Sequence, residues 1–276
     1  MPSTPSFRDL HFSLKDRVVS FLSEALFDNV TYTVRHGLIQ GMKRKGGMGF
    51  LPAALWSRGA HNAEEEFFRT LDLAGKVVYD IGAFHGIMTL FFARQAKAVV
   101  SYEPHPANFR RLQENIGLNR LQNVTAFNRG LGDSETFIEL ACDPRMPGAA
   151  SGDPAIVSQV RGSVPQAQII QIAVTRIDDE IEKHHLPIPD LVKIDIEGME
   201  LSALRGMKKL LAAQHPQLFL EMHGATEDEK EQKAKEILEF LSEMGYGSVR
   251  HVETGATLTR SDISTARTGH LFCVAS

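Results

Sequence analysis

Five short apolar runs, KVVYDIG, AVVSYEP, NVTAFN, DLVKIDIEG and QLFLEMHG, recur between Lys76 and Gly224. Segments with helical periodicity separate them, which is the order of parallel βαβ units and commits the chain to an α/β sheet with helices on both faces. PANFRRLQENIGLN puts Phe109, Leu112 and Ile116 on one helical face, and ELSALRGMKKLL does the same with Leu201, Leu204, Leu210 and Leu211. After residue 225 come a long charged helix, EDEKEQKAKEILEFLSEMGY, and a closing pair of strands, GSVRHVE and HLFCVAS.

Two segments stand outside this alternation. Residues 1–70 read as an N-terminal appendage, with an amphipathic helix in SLKDRVVSFLSEALF and turns or a hairpin in GLIQGMKRKGGMGFLP, while 71–276 hold the main domain. Residues 132–165 carry strand-like alternation and then a stretch rich in Pro, Gly, Ala and Ser, too long for an ordinary connection. This insert and the appendage are expected to cover the acceptor side of a site. Trp56, the only tryptophan, is expected to pack the appendage onto the core.

Composition narrows the function classes. A chain of 276 residues with 43% hydrophobic content can bury a full core. The net charge is -4 and the basic residues are scattered apart from Lys43, Arg44 and Lys45, so no nucleic-acid footprint is present and a small-molecule partner is expected. No stretch approaches the roughly 18 apolar residues of a membrane span, and the N-terminus lacks a signal-type apolar region, which points to a cytoplasmic location. Cys142 and Cys273 are the only cysteines and read as buried thiols, without a disulfide framework or a cysteine metal site. Oligomeric state is not encoded in any pattern of this kind.

A ligand of an open parallel sheet lies beyond the carboxyl ends of its strands, so the turn after the first strand is the place to look. That turn holds Asp80, Gly82, Ala83, Phe84, His85 and Gly86. A dinucleotide fingerprint requires G-x-G-x-x-G, whose second glycine lets the backbone approach a pyrophosphate, whereas here Phe84 stands at that position. S-adenosylmethionine (SAM) has no phosphate, and a carboxylate such as Asp80 can meet its cationic methionine end. Glu103 ends the second strand at about the spacing where an acid bonds ribose hydroxyls, a feature shared by NAD and SAM sites. His85 could touch the ligand or simply face solvent.

The motifs YDIGAFHGIMTL, YEPHPANFRRLQENIGLN, VKIDIEGMELSALRGM and LFLEMHG together resemble the FkbM family of SAM-dependent methyltransferases, most of which are O-methyltransferases. The resemblance covers roughly residues 64 to 224, and the family usually carries Asn where this chain has Phe84. It implies a class I methyltransferase fold: a Rossmann-like, seven-stranded, mostly parallel sheet whose last strand, HLFCVAS, is antiparallel. It also implies methylation of a hydroxyl on a sugar or secondary-metabolite scaffold.

Such an acceptor must lose a proton. The ends of the fourth and fifth strands offer Asp195, Glu197, Glu221 and His223. A carboxylate in the apolar run LVKIDIEG is costly to bury without a partner, so Asp195 is expected to face the site, beside the cofactor and the chemistry. Glu197 and Glu200 flank a helix start, where capping explains them as well as catalysis does. His223 reads equally as a base or a loop residue. Asp195 and Glu221 could hold one Mg²⁺, but only two oxygen ligands are evident, and the metal-free route with His223 or Asp195 as base is preferred. The rival readings are a non-catalytic adenosine-ligand binding protein and an NAD-dependent oxidoreductase.

Overall fold

The computed structural model describes residues 28–46, 63–143, 146–152, 157, 158, 161, 168–224 and 226–275. The expected helix over SLKDRVVSFLSEALF, Trp56 and the centre of the Pro-rich stretch lie outside these residues. The basic stretch forms part of a hairpin, pairing β1 (Thr31–Thr33) antiparallel with β2 (Lys43–Lys45). Helix α1 (Ala63–Thr70) then leads into β3 (Val77–Ile81).

From β3 the βαβ alternation runs as expected. Helix α2 (Ile87–Ala93) precedes β4 (Ala98–Tyr102), and α3 (Pro106–Leu118) precedes β5 (Val124–Phe127). Four strands follow in and around the insert: β6 (Gly130–Leu131), β7 (Thr136–Asp143), β8 (Met146–Ser151) and β9 (Gln168–Thr175). The alternation resumes with α4 (Ile177–His184), β10 (Leu191–Ile194), α5 (Glu200–Gly206), α6 (Lys208–Gln214) and β11 (Gln217–Glu221). The last elements are α7 (Glu227–Glu243), β12 (Ser248–His251), β13 (Thr257–Leu258), α8 (Ile263–Ala266) and β14 (His270–Val274).

The main sheet has the order β5-β4-β3-β10-β11-β14-β12-β13. Pairing is parallel from β5 through to β11, and β14 lies antiparallel between β11 and β12. This is the mostly parallel sheet expected of the class I methyltransferase fold, with eight strands among the described residues and not the expected seven. The additional strand, β13, has two residues and pairs antiparallel with β12, too short for any periodicity to announce it. Because the chain builds β4 and β5 on one side of β3 and returns to β10 on the other, strand order reverses between β3 and β10. The crevice for a ligand opens there.

Strand alternation divides the core into two layers. Val78, Val99, Leu191 and Phe219 point to the layer formed by the hairpin, α1 and α2, and Tyr79, Ile81, Val192, Ile194 and Leu220 to the opposite layer. Phe68 of α1 is fully buried and packs 4.4 Å from Phe219, ring to ring, while Phe67 lies 4.8 Å from Phe272. Burial of such a ring contributes roughly 1.5–3 kcal/mol, and it fixes α1 against the middle of the sheet.

Two departures from the sequence reading bear on the site. ELSALRGMKKLL is two helices that part at Met207, where the backbone leaves the helical region (φ -116°, ψ 22°), and the last residue of the first, Gly206, passes so close to Gly132 that a β-carbon would stand 1.9 Å from the Gly132 carbonyl oxygen. The insert belongs to a second sheet, in the order β6-β9-β7-β8. QIIQIAVT is the strand that makes it a sheet, and its pairing with β7 from Thr136↔Val174 to Cys142↔Gln168 is a long-range contact that local pattern does not reveal. Among the described residues, no helix is long and apolar enough to cross a membrane.

Candidate functional site

The turn after β3 is shaped by close approach. Gly82 has φ of 82°, and a β-carbon there would lie 1.7 Å from the Asp195 carbonyl oxygen, so only glycine lets the ends of β3 and β10 meet. The Gly82 and Ala83 amides both donate to the Tyr102 carbonyl at 3.0 Å, which hangs the turn on β4. Phe84 follows in the left-handed region, φ 49°, and its amide donates to Glu103 Oε2 at 2.8 Å.

Glu103 is thereby fixed from several sides. Its Oε1 accepts from the His105 amide at 2.9 Å and from Asn108 Nδ2 at 3.4 Å. Burial pushes this carboxyl up to about 7, against the pull of the His105 and Phe84 amides and of Asn108. Beside it opens a cavity of about 200 Å³, whose walls include Gly82, Phe84, Glu103, Asn108, Asp195 and Glu197.

Four of the other turn residues shape this cavity from behind and do not line it. Asp80 is fully buried, accepts a bond from Thr89 Oγ1 at 2.6 Å, and stands 3.7 Å from Lys193 Nζ. Ala83 is buried. Gly86 starts α2 against Leu112. His85 stacks on the Phe84 ring with centroids 3.7 Å apart, and burial, with Arg44 and Arg111 nearby, pushes it down to about 3. It is a neutral packing residue.

Lys193 supplies the partner that Asp195 requires. Only 3% exposed, it lies directly across from Asp80 in the β3–β10 register and reaches Asp195 Oδ2 at 3.0 Å. The two carboxylates outweigh its burial and hold it charged, with its pKa above the usual lysine value. Burial in turn raises Asp195, with Lys193 opposing. The signal for this pair was the i, i+2 spacing of K-I-D, which puts both side chains on one face of a strand.

Beyond Asp195 the ends of β10 and β11 gather a second group. His223 Nδ1 sits 2.9 Å from Glu200 Oε1, while Nε2 lies 3.4 Å from Glu221, 3.7 Å from Glu197 and 3.9 Å from Asp195. Burial opposes charge on this ring, but the bonds to Glu200 and Glu221 prevail and push it up to about 12. The contacts therefore favour the charged form of the His223 ring. Glu221 is held low despite burial by His223 and by His270, whose Nε2 is 3.6 Å away. Glu197 moves the other way: burial, with Asp195, Glu221 and Glu200 adding and His223 opposing, raises it to about 7.

Asp195, Glu197 and His223 offer ligand atoms within 4.8 Å of one another, which brings Glu197 into the group beside the Asp195 and Glu221 pair expected from the sequence. Glu197 and Glu200 are the residues whose importance the sequence obscured, since an acid at a helix start has a capping explanation. Glu200, the first residue of α5, accepts from the Gly198 amide at 2.9 Å in the turn before the helix, and holds His223 with the same oxygen.

The methyltransferase FkbM domain family matches residues 80–247. The chain is 30% identical over 143 residues to "Methyltransferase 1" of Beauveria bassiana, covering 47% of this chain and 57% of that protein. It is 27% identical over 194 residues to the "Hexuronic acid methyltransferase AglP" of Haloferax volcanii, covering 65% and 73% respectively. Among solved structures, an FkbM methyltransferase from Methylobacillus flagellatus has 21% identity and a TM-score of 0.47, covering 75% of this chain and 45% of that one. The chain thus spans only part of each of these proteins. With the domain matched across more than half of its length, it belongs to the FkbM methyltransferase family.

Proposed function

We propose that the chain transfers a methyl group from SAM to a hydroxyl oxygen of a sugar or secondary-metabolite acceptor. The observation that carries this reading is Glu103, held by backbone amides at the edge of a cavity that runs on to Asp195 and Glu197. A carboxylate has about four acceptor sites. The Phe84 and His105 amides take one each, and the third is engaged only by the long 3.4 Å bond from Asn108, which a ribose hydroxyl can replace. A pair of ribose hydroxyls can therefore be met. A pyrophosphate fits poorly, because the Phe84 amide that would face it is committed to Glu103. AglP is named for a hexuronic acid, which supports a sugar acceptor here.

Bound SAM supplies an electrophilic methyl on a sulfonium, and the protein's part is alignment and proton removal. Glu103 orients the ribose end. At the other end Lys193 keeps Asp195 engaged, His223 carries charge among the carboxylates, and Glu197 is the carboxylate raised to near neutrality at the cavity wall. We assign the acceptor proton to Glu197, on the metal-free route. Mg²⁺, a hard cation that takes oxygen ligands, would be held by Asp195 with Glu197 or Glu221, where it would compete with the charge that His223 places beside the same carboxylates.

A thermal-shift panel with SAM, S-adenosylhomocysteine (SAH), NAD and NADP tests the cofactor. SAH at about 100 times its dissociation constant is expected to stabilise the fold by about 2.7 kcal/mol, and NAD to leave the melting temperature unmoved. A shift with NAD alone would remove the reading.

Glu103→Ala is expected to weaken SAH by roughly 1.5–3 kcal/mol in calorimetry, the range for hydrogen bonds to a charged group. Ribose hydroxyls bond the ionised form, so binding expels the proton from Glu103. Wild-type affinity should therefore rise with pH through the carboxyl's value of about 7, and Glu103→Ala should lose this dependence. A flat wild-type profile would show that the carboxylate does not meet the ligand.

A further inference from the structure

We infer that a second cavity, between the inserted sheet and the start of α5, is the acceptor subsite, and that it takes a neutral polyhydroxylated acceptor, such as a glycoside, in preference to a uronate or other organic anion. The inference rests on the SAM reading above and deepens it: it says where the hydroxyl-bearing molecule sits and what charge it carries.

Ile138 and Leu140 of β7 share one face of the inserted sheet with Ile172 and Val174 of β9, and this face lines the cavity beside Glu103. Ile138, Gly152 and Met199 also line the second cavity, of about 430 Å³, so the two adjoin there. The junction is tight, since a β-carbon on Gly152 would stand 2.8 Å from Met199 Sδ and 2.9 Å from Ile138 Cδ1. Three consecutive residues run along it: Glu197 lines the first cavity, Gly198 the second, and Met199 both. A molecule in the second cavity is therefore next to the carboxylate to which the acceptor proton is assigned. Glu103, which orients the ribose, lines the first cavity and not the second. One chamber is left to the cofactor and the other to the acceptor.

The charges on the second cavity's wall set the class of acceptor. Among the described residues that line it, the carboxylate is Glu139 and the cation is Arg161, and they face each other at 2.5 Å. Their side chains are 44% and 59% exposed, and a pair in such a position is held by little energy. A hydroxyl both donates and accepts, so neighbouring hydroxyls of one molecule satisfy the carboxylate and the guanidinium together. An acceptor carboxylate does not: drawn to Arg161, it would stand beside Glu139 as a like charge, and that juxtaposition is costly. Two serines extend the polar set. Ser202 Oγ accepts from the Asp133 amide at 3.1 Å, which leaves its O–H to donate, and Ser158 is exposed. Buried Val157, with Ile138 and Met199, supplies apolar surface for the C–H face of a sugar ring.

The test uses the full chain loaded with SAH and measures acceptor binding by calorimetry, so it does not depend on turnover. The probes are the methyl glycosides of glucose, galactose and mannose, each paired with its uronate, which differs only in a carboxylate at C6. The best-bound neutral glycoside should exceed its uronate by about tenfold in the wild type. Glu139→Gln removes the like charge and should reverse or abolish this preference by tightening the uronate about tenfold, whereas Arg161→Gln should weaken the neutral glycoside about tenfold. Both side chains are exposed, so neither variant disturbs the core, and SAH affinity should stay at the wild-type value in each. Phe137→Ala, on the same strand but lining neither cavity, should bind SAH and glycoside as the wild type does. A uronate bound more tightly than its neutral partner by the wild type, wild-type glycoside affinity in both variants, or no binding of any probe to the SAH-loaded protein overturns the inference while leaving the SAM reading intact. A loss of SAH affinity in both variants also overturns it, by placing the second cavity on the cofactor side. Failure of the wild-type protein to bind SAH overturns both.

Discussion

Replacement of Glu197 by glutamine is expected to lower turnover by roughly 10²- to 10⁴-fold, the contribution of a positioned general base, with SAH affinity unchanged. Glu197 lines the cavity beside Asp195. The groups that face it, Asp195, Glu200, Glu221 and the His223 ring, leave its carboxyl near 7. A base acts in its ionised form, so wild-type turnover should rise with pH through that value, and Glu197→Gln should remove this limb. The assay follows SAH release with an acceptor drawn from a panel of sugars and uronic acids. Equal loss of SAH binding would instead make Glu197 part of cofactor binding. If EDTA abolishes turnover and Mg²⁺ restores it, the metal route replaces the one preferred here. A folded protein that binds SAH and methylates nothing in any panel would favour a binding protein over an enzyme.

Gly82→Ala is expected to destabilise the fold by about 2–5 kcal/mol, combining a left-handed backbone conformation unsuited to alanine with forced overpacking. The added methyl would stand 1.7 Å from the Asp195 carbonyl oxygen and 3.1 Å from Ile196 Cγ2, and both belong to the segment that continues β10. Relief requires β3 and β10 to part where the cavity opens, so SAH binding should fall together with stability. Urea unfolding and calorimetry on the same samples measure both. Gly117→Ala is the control: this helical glycine would meet nothing within 4 Å, and alanine there should stabilise by up to about 1 kcal/mol. A neutral Gly82→Ala would mean that the two strand ends are not in fixed contact.

The alternation of strands and helices from Lys76 onward, the turn at Gly82 and the carboxylate at Glu103 are all legible in the amino-acid order alone. These features are local: a buried parallel strand must be an apolar run, a turn with positive φ at a close approach must be glycine, and an acid at a strand end announces itself by position. Lys193 was legible in principle, as the i, i+2 neighbour of Asp195. The remainder exists only in the folded chain. That the insert is a sheet depends on β9 pairing with β7 across an intervening stretch, and which of its faces meets the cavity depends on register. The charge on His223 is set by Glu200 and Glu221, side chains brought to its two ring nitrogens by α5 and the end of β11. Glu197 becomes a candidate base, and not merely a cap, only because burial and three neighbouring carboxylates raise it. Propensity and periodicity are properties of a segment, whereas a pKa or a wall of a cavity is the sum of fields and contacts from strands that meet only on folding.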